Sequence, residues 1–193
     1  MSGAVVFDLE FTAWAGSMET RWLRPGEFRE VVQIGAVLVD GGSFAETARL
    51  DLLVKPRLNP ALSAYFETLT GITNEAVAAR GMDFSMAYRG FVDFAAGRPI
   101  LSFGRDDLVL LDNLQLYGLE PDPPLPPALN FVPWLRIQGF STARLHACDV
   151  AALAGAAFEG RRHDALDDAR SVALGIAALM RRGAPSPLAA PRP

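Results

Sequence analysis

Cysteine is almost absent from this sequence, because Cys148 is the only one among 193 residues. A single cysteine excludes an internal disulfide and is typical of proteins from a reducing compartment. The first residues also lack a basic region followed by a cleavage site, so no signal peptide is expected. Both absences favour a cytoplasmic protein.

Long hydrophobic runs and an excess of positive charge are also missing. No apolar run approaches the length of a membrane span, so we expect no membrane association. The net charge of −4 counts against a large surface that grips phosphates by charge alone. Half of the residues are hydrophobic, which is enough for one sizeable core. We predict one domain over residues 1–182 and a disordered, Pro/Ala-rich tail over residues 183–193.

The pattern of apolar residues predicts an α/β fold. Five strands are expected, the second and third joined as a hairpin, over residues 4–9, 31–39, 46–54, 100–103 and 131–137. Six helices are expected over residues 59–69, 74–80, 84–96, 107–117, 141–153 and 164–182. Residues 13–30 have no clear periodicity and are predicted to form a long loop. The alternation indicates a mixed five-stranded sheet flanked by helices.

Two carboxylates stand together near the end of the first strand. Asp8 and Glu10 flank Leu9, and side chains two apart on a strand point to the same face. Like charges placed side by side repel unless a positive group lies between them. Because Mg²⁺ and Mn²⁺ prefer hard oxygen ligands, the pair predicts a divalent-cation site. The alternative is a solvated strand end.

A second acidic pair lies where the fourth strand gives way to a helix. Asp106 is placed as the helix N-cap and Asp107 as the first helical residue. Ligands collect at strand ends of α/β sheets, so either carboxylate is a candidate ligand. The alternative is that both merely complement the helix dipole.

The third acidic segment adds a histidine. On a continuous helix His163 and Asp168 would lie about 140° apart, so they share a site only if His163 precedes the helix. Asp164 is a suitable N-cap, which places His163 before the helix and Asp168 in its second turn. The alternative is a capped helix with an acidic first turn and a histidine in a loop.

Taken in order, these segments resemble the DEDDh 3′–5′ exonucleases of the DnaQ-like, ribonuclease H-like superfamily. The branch that the sequence resembles most is that of the KapD-like and histone-mRNA 3′-exonucleases. The resemblance extends over residues 4–180 and is carried by residues 7–12, 32–37, 69–73, 104–107 and 163–169.

The resemblance implies a ribonuclease H-like sheet whose first three strands are antiparallel, and a site for two Mg²⁺ or Mn²⁺ ions. It implies that Asp8 bridges both ions and that Glu10 and Asp168 hold the first. Asp107 aligns with the aspartate that helps to hold the second ion, with Asp106 as the alternative. The resemblance assigns the role of general base to His163.

The implied activity is 3′–5′ hydrolysis of single-stranded RNA or DNA that releases nucleoside 5′-monophosphates. Alternatives are a proofreading exonuclease of a DNA polymerase, an oligoribonuclease and a non-catalytic regulatory module. Whether the protein forms a homodimer or binds another protein partner stays open. The residues expected to bind the terminal nucleotide are Leu9, Phe11, Thr12, Leu69 and Ile72. For Phe11, Leu69 and Ile72 the alternative is ordinary core packing.

The remaining aromatic residues carry no motif. His146 is expected to lie in the middle of a helix and to be structural. The three tryptophans, Trp14, Trp22 and Trp134, are expected to be packing residues.

Overall fold

The computed structural model of the chain describes residues 3–189. The strands are β1 (Ala4–Phe11), β2 (Val31–Val39), β3 (Glu46–Leu53), β4 (Ile100–Ser102) and β5 (Ala128–Asn130). The helices are α1 (Ser17–Thr20), α2 (Ala64–Thr70), α3 (Asn74–Arg80), α4 (Phe84–Ala95), α5 (Asp106–Leu116), α6 (Val132–Ile137), α7 (Val150–Leu153) and α8 (Ala165–Arg181). A 3₁₀ turn over Ala147–Asp149 precedes α7. Across residues 3–189, none of the helices has the length and apolar character to cross a bilayer.

The five strands form one mixed sheet with the order β3-β2-β1-β4-β5. The first three strands pair in antiparallel fashion, and β4 runs parallel to both β1 and β5. The predicted ribonuclease H-like sheet, with three antiparallel leading strands, is therefore confirmed. β1 lies at the centre, so residues near its carboxyl end are flanked by strands on both sides.

Each face of the sheet is covered by helices. Val6 and Val37 belong to the apolar cluster beneath α8, whereas Phe7 and Ala36 belong to the cluster beneath α4 and α5. This division follows from the alternation of side chains along a strand. By the same alternation, the side chain of Asp8 points to the α8 face, as does that of Val6.

Four predicted elements differ from the structure, one of them the helix expected over residues 59–69, because α2 begins only at Ala64. Residues 131–137 are not a strand, because β5 ends at Asn130 and α6 follows. Pro133 lies in the first turn of α6, where its missing N–H has no helical partner to lose. Residues 141–146 do not belong to the predicted helix. Residues 13–30 contain one helical turn, α1.

The predicted disordered tail also differs from the structure in its first part. The Pro185 carbonyl accepts a hydrogen bond from the Trp134 indole N–H at 3.0 Å. Ala184 and Leu188 pack against the cluster beneath α8. Residues 183–189 are therefore part of the folded chain, and residues 190–193 lie outside the described residues.

Candidate active site

A cleft of about 430 Å³ opens at the carboxyl ends of the parallel strands β1 and β4. The ionisable residues that line the cleft are Asp8, Glu10, Asp106, His146, His163 and Asp168. The rest of its lining is mainly apolar. Ligands of α/β sheets bind in this position, outside the carboxyl ends of the strands.

Close packing of α8 on β2 places Asp168 beside Asp8. A Cβ atom at Gly35 would overlap the backbone of Leu166, so only glycine allows α8 to approach here. The side-chain amide oxygen Oε1 of Gln33 accepts the Ala165 backbone N–H at 2.9 Å. Since Gly35 is the register partner of Asp8, the first turns of α8 lie over Asp8.

The start of α8 is fixed by Asp164, as its N-cap position predicts. One Asp164 carboxylate oxygen accepts the backbone N–H groups of Leu166 and Asp167, both at 3.1 Å. His163 therefore precedes the helix and has a left-handed backbone with φ of 58°. This conformation is unfavourable for a residue with a side chain. It turns the imidazole into the same cleft as Asp168.

One carboxylate joins the two segments that carry the histidines. Asp149 accepts the Arg162 guanidinium at 2.6 Å with one oxygen and the His146 backbone N–H at 3.1 Å with the other. The His146 and His163 rings lie edge to face with 6.1 Å between centroids. His146 is thus an exposed residue of the cleft wall, and the expectation of a mid-helix structural histidine is wrong.

Asp106, not Asp107, lines the cleft. Both carboxylate oxygens of Asp107 are instead held by the Arg105 guanidinium at 2.8 and 2.9 Å. Successive helical residues point about 100° apart, so only one of the two can face the cleft. The structure therefore places Asp106, the alternative, in the cleft lining, and Asp107, the residue expected from the resemblance, outside it.

The four cleft carboxylates disfavour one another's ionisation. Burial, followed by the charges of Asp106, Glu10 and Asp168, raises the pKa of Asp8 well above its usual value. Burial and the Asp168 charge likewise raise the pKa of Glu10. Burial also raises the pKa of Asp106 and of Asp168, each to about 7.

The donor set of the cleft fits a divalent cation. Single ligand atoms from Glu10, His163 and Asp168 lie within 4.8 Å of one another. Within residues 3–189, the buried Oδ1 atom of Asp168 has no hydrogen-bond partner. A buried carboxylate oxygen without a partner is costly, and a hard cation would satisfy it while offsetting the repulsion.

The imidazole of His163 has a weaker affinity for protons than an ordinary histidine. Its half-buried position lowers the pKa, and the neighbouring His146 and Arg162 lower it further, with Asp149 opposing them. The neutral form, which can accept a proton, is therefore favoured near neutrality.

The residues expected to bind the terminal nucleotide divide into two groups. Leu9, Phe11 and Leu69 line the cleft. Thr12 is buried and bonds the backbone of Phe28 and Glu30 instead. Ile72 is buried in a separate apolar cluster, which agrees with the packing alternative.

Sequence reasoning missed several apolar residues that line the cleft. Trp14 and Trp22 line the cleft, contrary to the expectation of plain packing, and so do Met18 and Tyr65. The only signal was the density of aromatic residues in a segment without periodicity. Trp134 is a packing residue, 5% exposed in the cluster beneath α8.

The sequence and the fold were compared with known proteins. A family model described as Exonuclease matches residues 5–174. Among curated proteins, none matches the sequence. The fold is similar to the nuclease domain of 3′hExo, a DEDDh family member, solved bound to rAMP, with a TM-score of 0.79 and 22% identity. That alignment covers 95% of this chain and 94% of the other.

Two further solved structures share the fold. Cell-death related nuclease 4 aligns with a TM-score of 0.75 and 20% identity, over 95% of this chain and 65% of the other. E. coli Exonuclease I in complex with a dA16 oligonucleotide aligns with a TM-score of 0.72 and 14% identity. That alignment covers 95% of this chain and 42% of the other, which is the larger protein.

Proposed function

The chain belongs to the exonuclease family, and on this premise we propose that it is a cation-dependent 3′–5′ exonuclease of the DEDDh, DnaQ-like kind. Its substrate is the unpaired 3′ end of RNA or DNA, and its products are nucleoside 5′-monophosphates. The observation that carries the proposal is the convergence, from separate parts of the chain, of four carboxylates and a histidine on one cleft.

Asp8, Glu10, Asp106 and Asp168 would hold the cations, two Mg²⁺ or Mn²⁺ as the family resemblance implies. When bound, such ions neutralise phosphate charge and acidify water. Hard carboxylate ligands suit both metals. The raised pKa values of these four groups support the assignment, because burial raises each of them and the arginines near Asp106 and Asp168 offset this only in part.

His163 acts as the general base. Its neutral imidazole takes a proton from the attacking water, whose oxygen forms a new bond to the terminal phosphorus. The bond from phosphorus to the 3′ oxygen of the penultimate nucleotide breaks, and that oxygen takes a proton from solvent. The Asp149–Arg162 ion pair supports this role, because it restrains the segment that presents His163.

Single-stranded nucleic acid is the proposed substrate for two reasons. The ionisable lining of the cleft accounts for a phosphate through cations, and its apolar lining accounts for a nucleobase. Among solved structures of the same fold, one is bound to rAMP, one concerns 3′-end specific recognition of a histone mRNA stem-loop, and one is in complex with a dA16 oligonucleotide. With a net charge of −4, the chain depends on the cleft rather than on a basic surface for binding.

Digestion of RNA and DNA oligonucleotides labelled at the 3′ or the 5′ end tests the proposal. With Mn²⁺, the 3′-labelled strand should release its label at once as a mononucleotide. The 5′-labelled strand should shorten one nucleotide at a time and keep its label. Loss of the 5′ label first would contradict the direction.

Parallel digestion of matched RNA, DNA and dinucleotide substrates separates the remaining alternatives. A strong preference for mismatched DNA ends would favour proofreading, and a preference for dinucleotides would favour an oligoribonuclease. No cation-dependent hydrolysis by correctly folded protein would favour a non-catalytic module.

A further inference from the structure

The segment between β1 and β2, residues 13–30, is built as a fixed wall of the cleft. The Trp22 indole N–H donates to the Thr12 carbonyl at 2.8 Å. The Ser17 hydroxyl accepts the Trp14 backbone N–H at 2.8 Å and donates to Glu27 at 3.2 Å. These contacts join both ends of the segment to its middle, so the wall is formed before any ligand binds.

The surface that this wall presents to the cleft is apolar and accessible. Trp14 is half-buried, and Met18 is 70% exposed although it lines the cavity. On α2, Tyr65 is 42% exposed and lines the same cavity. Exposed apolar side chains that border a cavity indicate a ligand surface rather than core packing.

The same cavity is lined both by this apolar surface and by the four carboxylates. A nucleotide has the matching division, with a charged phosphate at one end and a flat base at the other. A base presents a π-face whatever its identity, so aromatic and thioether side chains bind it with little sequence preference.

We propose that Trp14 and Met18 form the stacking surface for the base of the 3′-terminal nucleotide. This inference rests on the proposed function and names residues outside the motifs that carry the family resemblance.

Trp22 also lines the cleft and acts as a positioning residue for this surface. Its ring meets Phe11 edge to face with 5.3 Å between centroids. The Arg29 guanidinium lies 5.7 Å from the Trp22 ring centroid and 5.9 Å from that of Phe11. Trp22, Phe11 and Arg29 therefore pack against one another. Because Phe11 is the last residue of β1, this contact holds the wall against the end of that strand.

The test is a binding measurement that requires no turnover. Fluorescence anisotropy measures how tightly proteins that carry His163→Gln bind two 5′-labelled oligonucleotides. The two are identical except that one has an abasic 3′ terminus. In this background the intact end should bind about 5- to 150-fold more tightly than the abasic end, the range for one stacked base. Trp14→Ala should reduce that ratio to near one.

Matched variants control for folding and for general loss of affinity. Met18→Ala should lower the ratio, whereas Met86→Ala should not, because Met86 is similarly exposed, at 64%, but lies on α4 away from the cleft. Circular dichroism and the melting temperature establish that each variant is folded. Trp22→Phe should preserve most of the affinity difference between intact and abasic ends. The variant keeps an aromatic ring at this position and loses only the hydrogen bond to the Thr12 carbonyl.

The outcomes separate this inference from the proposed function. If wild-type protein degrades 3′ ends but Trp14→Ala leaves the ratio unchanged, the stacking surface is wrong and the exonuclease stands. If no hydrolysis occurs but the ratio still depends on Trp14, the binding surface stands and the activity is wrong. Equal binding of intact and abasic ends by the His163→Gln protein with Trp14 in place overturns the inference directly.

Discussion

Gly35 and Leu166 lie in such close backbone contact that a Cβ atom on the glycine would overlap the Leu166 nitrogen. This contact between β2 and α8 determines how near Asp168 comes to Asp8. The carboxylate cluster therefore depends on a glycine that contributes no chemistry to it.

Gly35→Ala should destabilise the fold and the site together. The added methyl group meets backbone on α8, which cannot rotate away as a flexible side chain would. We expect a loss of about 3 kcal/mol in the free energy of unfolding, measured by urea denaturation.

Gly90→Ala serves as the control for that measurement. Gly90 lies inside α4, and a Cβ there would meet only the side chain of Leu52 at 3.6 Å, an ordinary contact. Alanine in a helix interior is favoured over glycine, so the control should be neutral or stabilising by up to about 1 kcal/mol. Equal losses in both variants would contradict the close-packing argument.

Asp106→Asn and Asp107→Asn form a pair that tests the placement of the second acidic motif. Asp106→Asn removes a carboxylate from the cleft and should lower kcat by about 100-fold or more, as expected for loss of a ligand. Asp107→Asn weakens the bond to Arg105 and should affect stability more than kcat. Steady-state kinetics with thermal melts checks both, and the reverse order of effects on kcat would restore Asp107.

His163→Gln should separate proton transfer from cation binding. We expect kcat to fall by about 10²- to 10⁴-fold, while Mn²⁺ affinity by calorimetry changes less than about tenfold. In the unsubstituted protein, kcat should fall as pH drops through the His163 pKa, which is lowered from the ordinary histidine value of 6.5. A collapse of Mn²⁺ affinity in the variant would make His163 a ligand instead.

Without cations, the protein should lose stability as pH rises. The pKa values of Asp106 and Asp168 are raised to about 7, so folding favours their protonated forms. Their contribution is present below the unfolded pKa of about 4 and is lost as pH rises through about 7. In EDTA, the free energy of unfolding should be at least about 1.4 kcal/mol lower at about pH 8 than at about pH 5.

Saturating Mn²⁺ should remove that loss, because a bound cation favours the ionised carboxylates. Asp168→Asn should also flatten the pH dependence in EDTA. A metal-free protein that becomes more stable toward pH 8 would show that these carboxylates are already compensated within the fold.

The sequence predicted the parts of the fold and site that depend on local patterns. The alternation of β1 placed Asp8 and Glu10 on one face, and the Asp164 cap placed His163 before α8. Both follow from short-range geometry.

Long-range geometry accounts for what the sequence did not predict. Whether Asp106 or Asp107 faces the cleft depends on the rotation of α5 against the sheet. His146 reaches the cleft because Asp149 and Arg162 pair across 13 residues. Trp14 and Trp22 reach it through hydrogen bonds within a segment that has no periodicity.

The most direct test of the account is the rate of Mn²⁺-dependent mononucleotide release from a 3′-labelled single strand by wild-type protein and by Asp8→Ala. Asp8 lies at the centre of the carboxylate cluster, so the account predicts release by the wild type and its loss, by about 10³-fold or more, in the folded variant. Undiminished release by Asp8→Ala would contradict it.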